Sequence, residues 1–182
     1  MPECLKASGI VLFCICHAIL SEKNITFAHM TEQEIHHEAD KILKGRVFTP
    51  GNITSLGEDD VFVFGSNLAG HHAGGAARTA RRLFGAEWGE GDGWHGQSYA
   101  IPTMQGGVDS IRPYVDRFID IADECDQNTF WVTRIGCGIA GLTDEEIAPL
   151  FDRAFDLYNV RLPESFARII VENRLRKQHN QQ

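Results

Sequence analysis

A three-layer α/β/α domain around a central sheet is the fold class predicted by the sequence of 182 residues, and three observations predict it. The run Val61 to Phe64 is apolar at every position, as a strand buried on both faces should be. A similar run, Thr129 to Ile135, comes later in the chain. Each run empties into a glycine loop that is followed by residues at helical spacing. Strands alternating with helices build a sheet covered on both faces. In open sheets of this kind, ligands sit in the crevice beyond the carboxyl ends of the strands.

The elements follow in chain order. Within residues 1 to 29, Gly9 to Leu20 is an apolar run too short to span a membrane. Its length suits a signal-peptide core, but only Lys6 precedes it and no small-x-small cleavage site follows. The expectation is an extension upstream of a start at Met30, in preference to a secretory signal. Thr31 to Lys44 is then a helix, with Thr31 and Glu34 forming a capping box, Ile35, Ala39, Ile42 and Leu43 at helical spacing, and Gly45 as its stop. His36 and His37 are expected in solvent. Arg46 to Thr49 suits a short strand, Pro50-Gly51 ends it, and a polar turn from Gly57 to Asp60 leads into the central strand.

After that strand, Gly65 and Gly70 allow a tight loop, Gly74-Gly75 allow close approach to the main chain, and Ala76, Ala77 and Ala80 begin a helix. The stretch Glu87 to Gln97 is glycine-rich and aperiodic, which suits a mobile lid. Its Trp88, Trp94 and His95 read either as anchors for that loop or as stacking surfaces. Ser98 to Pro102 is a third strand, ending at Thr103, and Ser110 to Asp126 is an amphipathic crossover helix. Beyond the second glycine loop, Thr143 caps a helix whose first turn holds Asp144, Glu145 and Glu146, acids that suit a helix start and are expected in solvent. The buried stripe of that helix is Ile147, Leu150, Phe151, Ala154 and Phe155. Asn159 to Leu162 reads as a last strand, and Ser165 to Lys177 as a terminal helix with a frayed tail.

Composition narrows the partners. With 43% apolar and 23% charged residues, one domain can hold a real core. A net charge of -8 argues against a general nucleic-acid binder or a binder of anionic membranes, both of which reward clustered Lys and Arg. It leaves room for a phosphorylated small ligand, which backbone amides can hold without a cation. The five cysteines are odd in number, lack paired zinc spacing and occur in a chain too large to need disulfide staples, which points to a reducing cytoplasm. Cys14-x-Cys16-His17 has no second ligand pair, so neither a metal nor a cofactor is expected. The two glycine loops match neither the P-loop nor the dinucleotide fingerprint. Their glycines read as anion cradles or simply as turns that pack a helix on a sheet.

The order GNIT, VFVFGSN, GGAARTARRLFGA, YAIPT and RIGCGIAGL resembles a macro domain, the ADP-ribose-binding fold, over roughly Arg46 to Phe166. The last segment is closest to the branch that removes ADP-ribose from proteins. The resemblance implies a central mixed sheet and a macro-like domain over 46–166, flanked by the N-terminal helix over 30–45 and the C-terminal helix and tail over 167–182 that residue spacing predicts. It implies an adenine site at Asn52 and Ile53, and a ribose and diphosphate loop from Gly65, Ser66 and Asn67 to Gly74, Gly75 and Ala76. Thr103 lies at the next strand end, and Arg134, Gly136, Cys137, Gly138, Ile139, Ala140 and Gly141 form the second diphosphate loop. Asn67 falls on the asparagine that faces the distal ribose and is the implied catalytic residue.

Three departures limit the transfer, one being that the helix after Gly75 has Ala76, Ala77 and Arg78 where another hydrolytic branch has an acid. Asn52 stands where the family usually has an aspartate, and Ala140 where the RIGCG branch has its catalytic aspartate. The leading expectation is therefore binding of ADP-ribose or a related NAD-derived nucleotide, free or on ADP-ribosylated protein. The alternatives are a hydrolase of ADP-ribosyl linkages that uses a ligand phosphate or His95, Asp144 or Glu145, and a macro-like scaffold that binds only protein.

Overall fold

The computed structural model describes residues 30–180, so the expectations for Gly9 to Leu20, for Cys4, Cys14 and Cys16, and for a start at Met30 lie outside the described residues. Helix α1 (Glu32–Leu43) begins at the capping box of Thr31 and Glu34 and buries Ile35, Ala39 and Leu43. Ile42, expected on the same stripe, is 37% exposed, because it lies at the edge of that face. His36 and His37 are exposed, as expected, and His36 Nδ1 lies 3.0 Å from the Glu172 carboxylate.

Among the described residues, five strands form one mixed sheet. They are β1 (Asp60–Ser66), β2 (Gly93–His95), β3 (Ser98–Pro102), β4 (Thr129–Val132) and β5 (Val160–Arg161). Their spatial order is β2-β3-β1-β4-β5, with β1 central. The pairs β1-β3, β1-β4 and β4-β5 are parallel, whereas β2 joins β3 antiparallel at the edge. The chain leaves β1 through helix α2 (Gly75–Leu83) for β3, then crosses back past β1 through helix α3 (Val108–Glu124) to β4. The carboxyl end of β1 is therefore the switch point, where connections leave the sheet in opposite directions.

Strand alternation divides the core. Successive side chains of a strand point to opposite faces. Phe62, Phe64 and Ala100 pack with Ala77, Ala80 and Phe84 from α2 on one face. Val61, Val63, Tyr99, Ile101, Phe130 and Val132 pack on the other with Ile111, Val115, Phe118 and Ile119 of α3. Helix α5 (Glu164–Asn180) and α1 join this second cluster, so helices cover both faces of the sheet. Val61 to Phe64 are fully buried, as expected of the central strand. In β4 only Phe130 and Val132 are, because Thr129 and Trp131 face the thinner layer beside α2.

Four expectations are revised. Arg46 to Thr49 is not a strand; only Thr49 attaches to β5, its N–H donating to Leu162 O at 2.9 Å and its hydroxyl to Arg161 O at 2.7 Å. The helix after Thr143 is α-helical only over α4 (Asp144–Ile147) and continues as 3-10 turns at Ala148–Phe151 and Arg153–Asp156. Pro149 accounts for the break, since it has no N–H for the α-helical ladder. The glycine-rich stretch after Ala86 is packed against the first glycine loop and is no lid. Cys125 at the end of α3 is disulfide-bonded, a crosslink that chain size gave no reason to expect, whereas Cys137 is a free thiol. Among the described residues, no helix is long and apolar enough to cross a membrane.

Candidate ligand-binding site at the two glycine loops

Three strand ends meet at the floor of the site. A methyl group on Gly65 would lie 3.4 Å from both Gly136 N and Thr103 Oγ1, so the ends of β1, β3 and β4 are in contact. Thr103 fixes its own strand end, its N–H donating to Ser66 O at 2.9 Å and its hydroxyl to the same oxygen at 3.2 Å. Thr133 makes the matching pair of bonds to Val63 O, both at 2.9 Å.

The first loop leaves this floor under tight constraint. Asn67 Oδ1 accepts from His71 N at 3.1 Å, and its Nδ2 donates to His71 O at 3.1 Å. The side chain thus clamps its own loop, leaving one amide hydrogen and one lone pair for anything outside it. His72, 1% exposed, sits edge-on to the Phe64 ring at 5.2 Å. Its Nε2 donates to Glu90 O at 3.0 Å.

Glu87 to Gly91 packs against this loop backbone to backbone. Gly89 N donates to Gly70 O at 3.2 Å, and a methyl group on Gly91 would lie 1.9 Å from Asn67 O. Only glycine fits there. Trp94 belongs to β2, where its Nε1 donates to Gly96 O at 2.9 Å and its ring meets Phe130 edge-on at 5.4 Å. It is an anchor. His95 pairs in register with Ser98, at the amino end of β3 and so at the opposite end of the sheet from the glycine loops.

The two loops then face each other. A methyl group on Gly74 would lie 3.5 Å from Ile139 Cδ1. On the first side, the N–H groups of Gly74, Gly75, Ala76 and Ala77 have no acceptor among the described residues, since the first hydrogen bond of α2 runs from Arg78 N to Gly74 O at 3.1 Å. That is the ordinary condition of a helix start. On the second side, Cys137 N, Gly141 N and Leu142 N bond within the loop, whereas the N–H groups of Gly138, Ile139 and Ala140 do not. Added methyl groups on Gly75 or Gly138 would meet no protein atom within 4 Å. Both loops therefore carry unpaired donors, and there is open space beside Gly75 and Gly138.

Two of its charged neighbours are engaged with each other. Arg134, expected as the cation of the second loop, pairs with Asp144 at 2.8 Å. Asp144 is not solvated as expected, its side chain being 12% exposed. Burial alone would raise its pKa, but the Arg134 guanidinium holds the carboxyl below its usual value. Burial and the neighbouring Asp144 push the Cys137 thiol up to about 12, so it is neutral and no nucleophile at ordinary pH. Glu146 closes the capping box with Thr143, and Glu145 is exposed. Asn52 is exposed, and Ile53 belongs to the buried cluster on the α2 face that includes Phe62, Ala77 and Ala80.

His72 has no role in the sequence-based expectations and Glu87 to Gly91 reads there as part of a lid, whereas both pack against the first loop. The glycines at 70, 89 and 91 were the available signal. A cavity of about 250 Å³ lined by Arg46, Phe155, Tyr158 and Arg161 lies beside β5, away from the loops. Among the described residues, no three His, Cys, Asp or Glu side chains form a group that could hold a metal ion. No protein-family model matches the chain, and comparison with curated proteins and with solved structures yields no significant match.

Proposed function

We propose that the protein binds ADP-ribose or a related NAD-derived nucleotide, with the diphosphate lying between the two glycine loops. The observation that carries this reading is the set of unpaired N–H groups at Gly74 to Ala77 and at Gly138 to Ala140, on two loops that come into contact range at Gly74 and the Ile139 side chain. Oriented amides and a helix start favour an anion without any cation. The resemblance to macro domains gives the anion its chemistry, a diphosphate bridging an adenosine and a ribose. Ile53 and Ala76 then form the apolar wall at the base, and Asn52 is an uncharged partner for the adenine amine.

A hydrolytic role has less behind it. His95 lies at the other end of the sheet, Asp144 is ion-paired, and position 140 is alanine. None of these supplies a base poised for water, so a reader of the nucleotide is the better-supported function. Isothermal titration with ADP-ribose, NAD and cyclic ADP-ribose tests the proposal. Saturable binding of at least ADP-ribose is expected, and no heat from any of the three at millimolar concentration defeats it. Release of ADP-ribose from modified protein by the wild type would overturn the preference for a reader.

A further inference from the structure

The net charge of -8 averages over an uneven surface. From Val61 to Ala86 the chain has no Asp or Glu, and α2 carries Arg78, Arg81 and Arg82. Spacings of three and four residues bring them to one side of the helix. All three are exposed. Arg117, Arg134, Arg153, Arg168, Arg174 and Arg176 are paired with carboxylates. No carboxylate among the described residues pairs with the three arginines of α2. Glu87 and Glu90, the nearest acids in sequence, do not reach them.

An exposed aromatic group adjoins this basic side. Trp88 is 52% exposed, with the Arg81 guanidinium 4.9 Å from its ring centroid and the His71 ring stacked on it at 5.1 Å and 23°. The stack is held in place from below, since Gly89 is bonded to Gly70 and Glu90 to His72. A large ring kept in solvent next to unpaired guanidinium groups is the combination that single-stranded nucleic acids use, with phosphates on the cations and a base on the ring.

We propose that this face binds a single-stranded nucleic acid, its backbone following α2 and one base meeting the stack of His71 and Trp88. Arg78 and Arg82 are four residues apart, or about 6 Å along the helix axis, so they present successive cations to a strand laid along it. A duplex hides the faces of its bases, and an acidic protein or an anionic membrane offers no base to stack. Charge alone would serve those partners; the aromatic stack favours the single strand. The proposal does not depend on the ADP-ribose reading, because its contacts come from the side chains of His71, Arg78, Arg82 and Trp88 and not from the backbone donors of the two loops.

The test is fluorescence anisotropy with a labelled, mixed-sequence single strand of about 12 nucleotides, titrated from about 20 to 200 mM salt. Binding that weakens with salt is expected. Arg78→Ala with Arg82→Ala should reduce the slope of log affinity against log salt by about 1.4, or about 0.7 for each phosphate no longer neutralised. Trp88→Ala should lower affinity at least about fivefold and leave the slope unchanged. Melting temperature, measured on the same variants, should not move. Absence of binding at the lowest salt overturns the proposal, as does a duplex that binds equally well with Trp88→Ala without effect. Polyglutamate or anionic vesicles binding more tightly than the strand would assign the face to an acidic partner and overturn it as well.

Discussion

Gly138→Val separates a phosphate loop from a mere turn. A methyl group at Gly138 meets no protein atom within 4 Å, and its φ lies outside the left-handed region. The substitution should therefore cost little in folding. Gly75 is a poorer choice, because its φ of +54° would strain a valine whatever the space around it. In the proposed complex, a branched side chain at 138 stands in front of the amides of Gly138 and Ile139. A hydrogen bond to a charged group contributes about 1.5 to 3 kcal/mol, so losing two would cost about 3 to 6 kcal/mol if nothing relaxed. Loops do relax, and a loss of at least about 1.4 kcal/mol, or tenfold, is the conservative expectation. Isothermal titration with ADP-ribose reads the affinity, and a thermal melt of the same sample shows whether the fold is intact. An unchanged affinity in a protein with an unchanged melt would refute the assignment of the second loop.

Three further outcomes follow from the packing. Burial pushes the His72 pKa below its ordinary value of 6.5, so the folded state prefers the neutral ring; the associated stability is complete above about pH 6.5 and is lost as pH falls toward the folded value. His72→Gln should flatten the fall in melting temperature between about pH 7 and 5, and an unaltered pH profile would count against this role. Phe118, fully buried among Tyr99, Phe130 and Phe151, should cost about 3 to 5 kcal/mol when changed to alanine, read by urea denaturation; a loss under about 1 kcal/mol would contradict the packing. If a release assay detects turnover, Asn67→Ala should lower it about a hundredfold by freeing the first loop, and Glu145→Ala should leave it intact; full turnover in Asn67→Ala refutes the role of the clamp.

The elements legible in the sequence were those whose cause is local. Thr31 and Glu34 announce α1 because a capping box needs only its own residues, and Ile111, Val115, Phe118 and Ile119 announce α3 because a periodic stripe can be counted. Asn159 shows the limit. Its amide is buried and lies within 3.2 Å of the carbonyls of Ala122, Cys125 and Asn128, tying the end of α3 to the start of β5. Read alone, it was only the first residue of a strand. Partners more than thirty positions away leave no local signal in either segment.

The candidate site divides in the same way. Both glycine loops were visible, since glycines after an apolar run mark where a chain turns at the end of a strand. Their mutual approach was not visible, because it depends on β3 and β4 pairing on either side of β1 and so bringing three strand ends together. The charges misled for a related reason. Arg134 and Asp144 each had a plausible separate role, as a phosphate cation and a solvated helix acid, and only the turn between β4 and α4 shows that they neutralise each other. With that pair neutralised, the unpaired N–H groups and the guanidinium of Arg78 are what the two loops and the start of α2 offer an anion. Backbone donors carry no net charge, so an interaction dominated by them should depend less on ionic strength than one built on arginine. The proposed nucleotide site and the arginine face of α2 should therefore respond differently to salt, although they meet at the same helix.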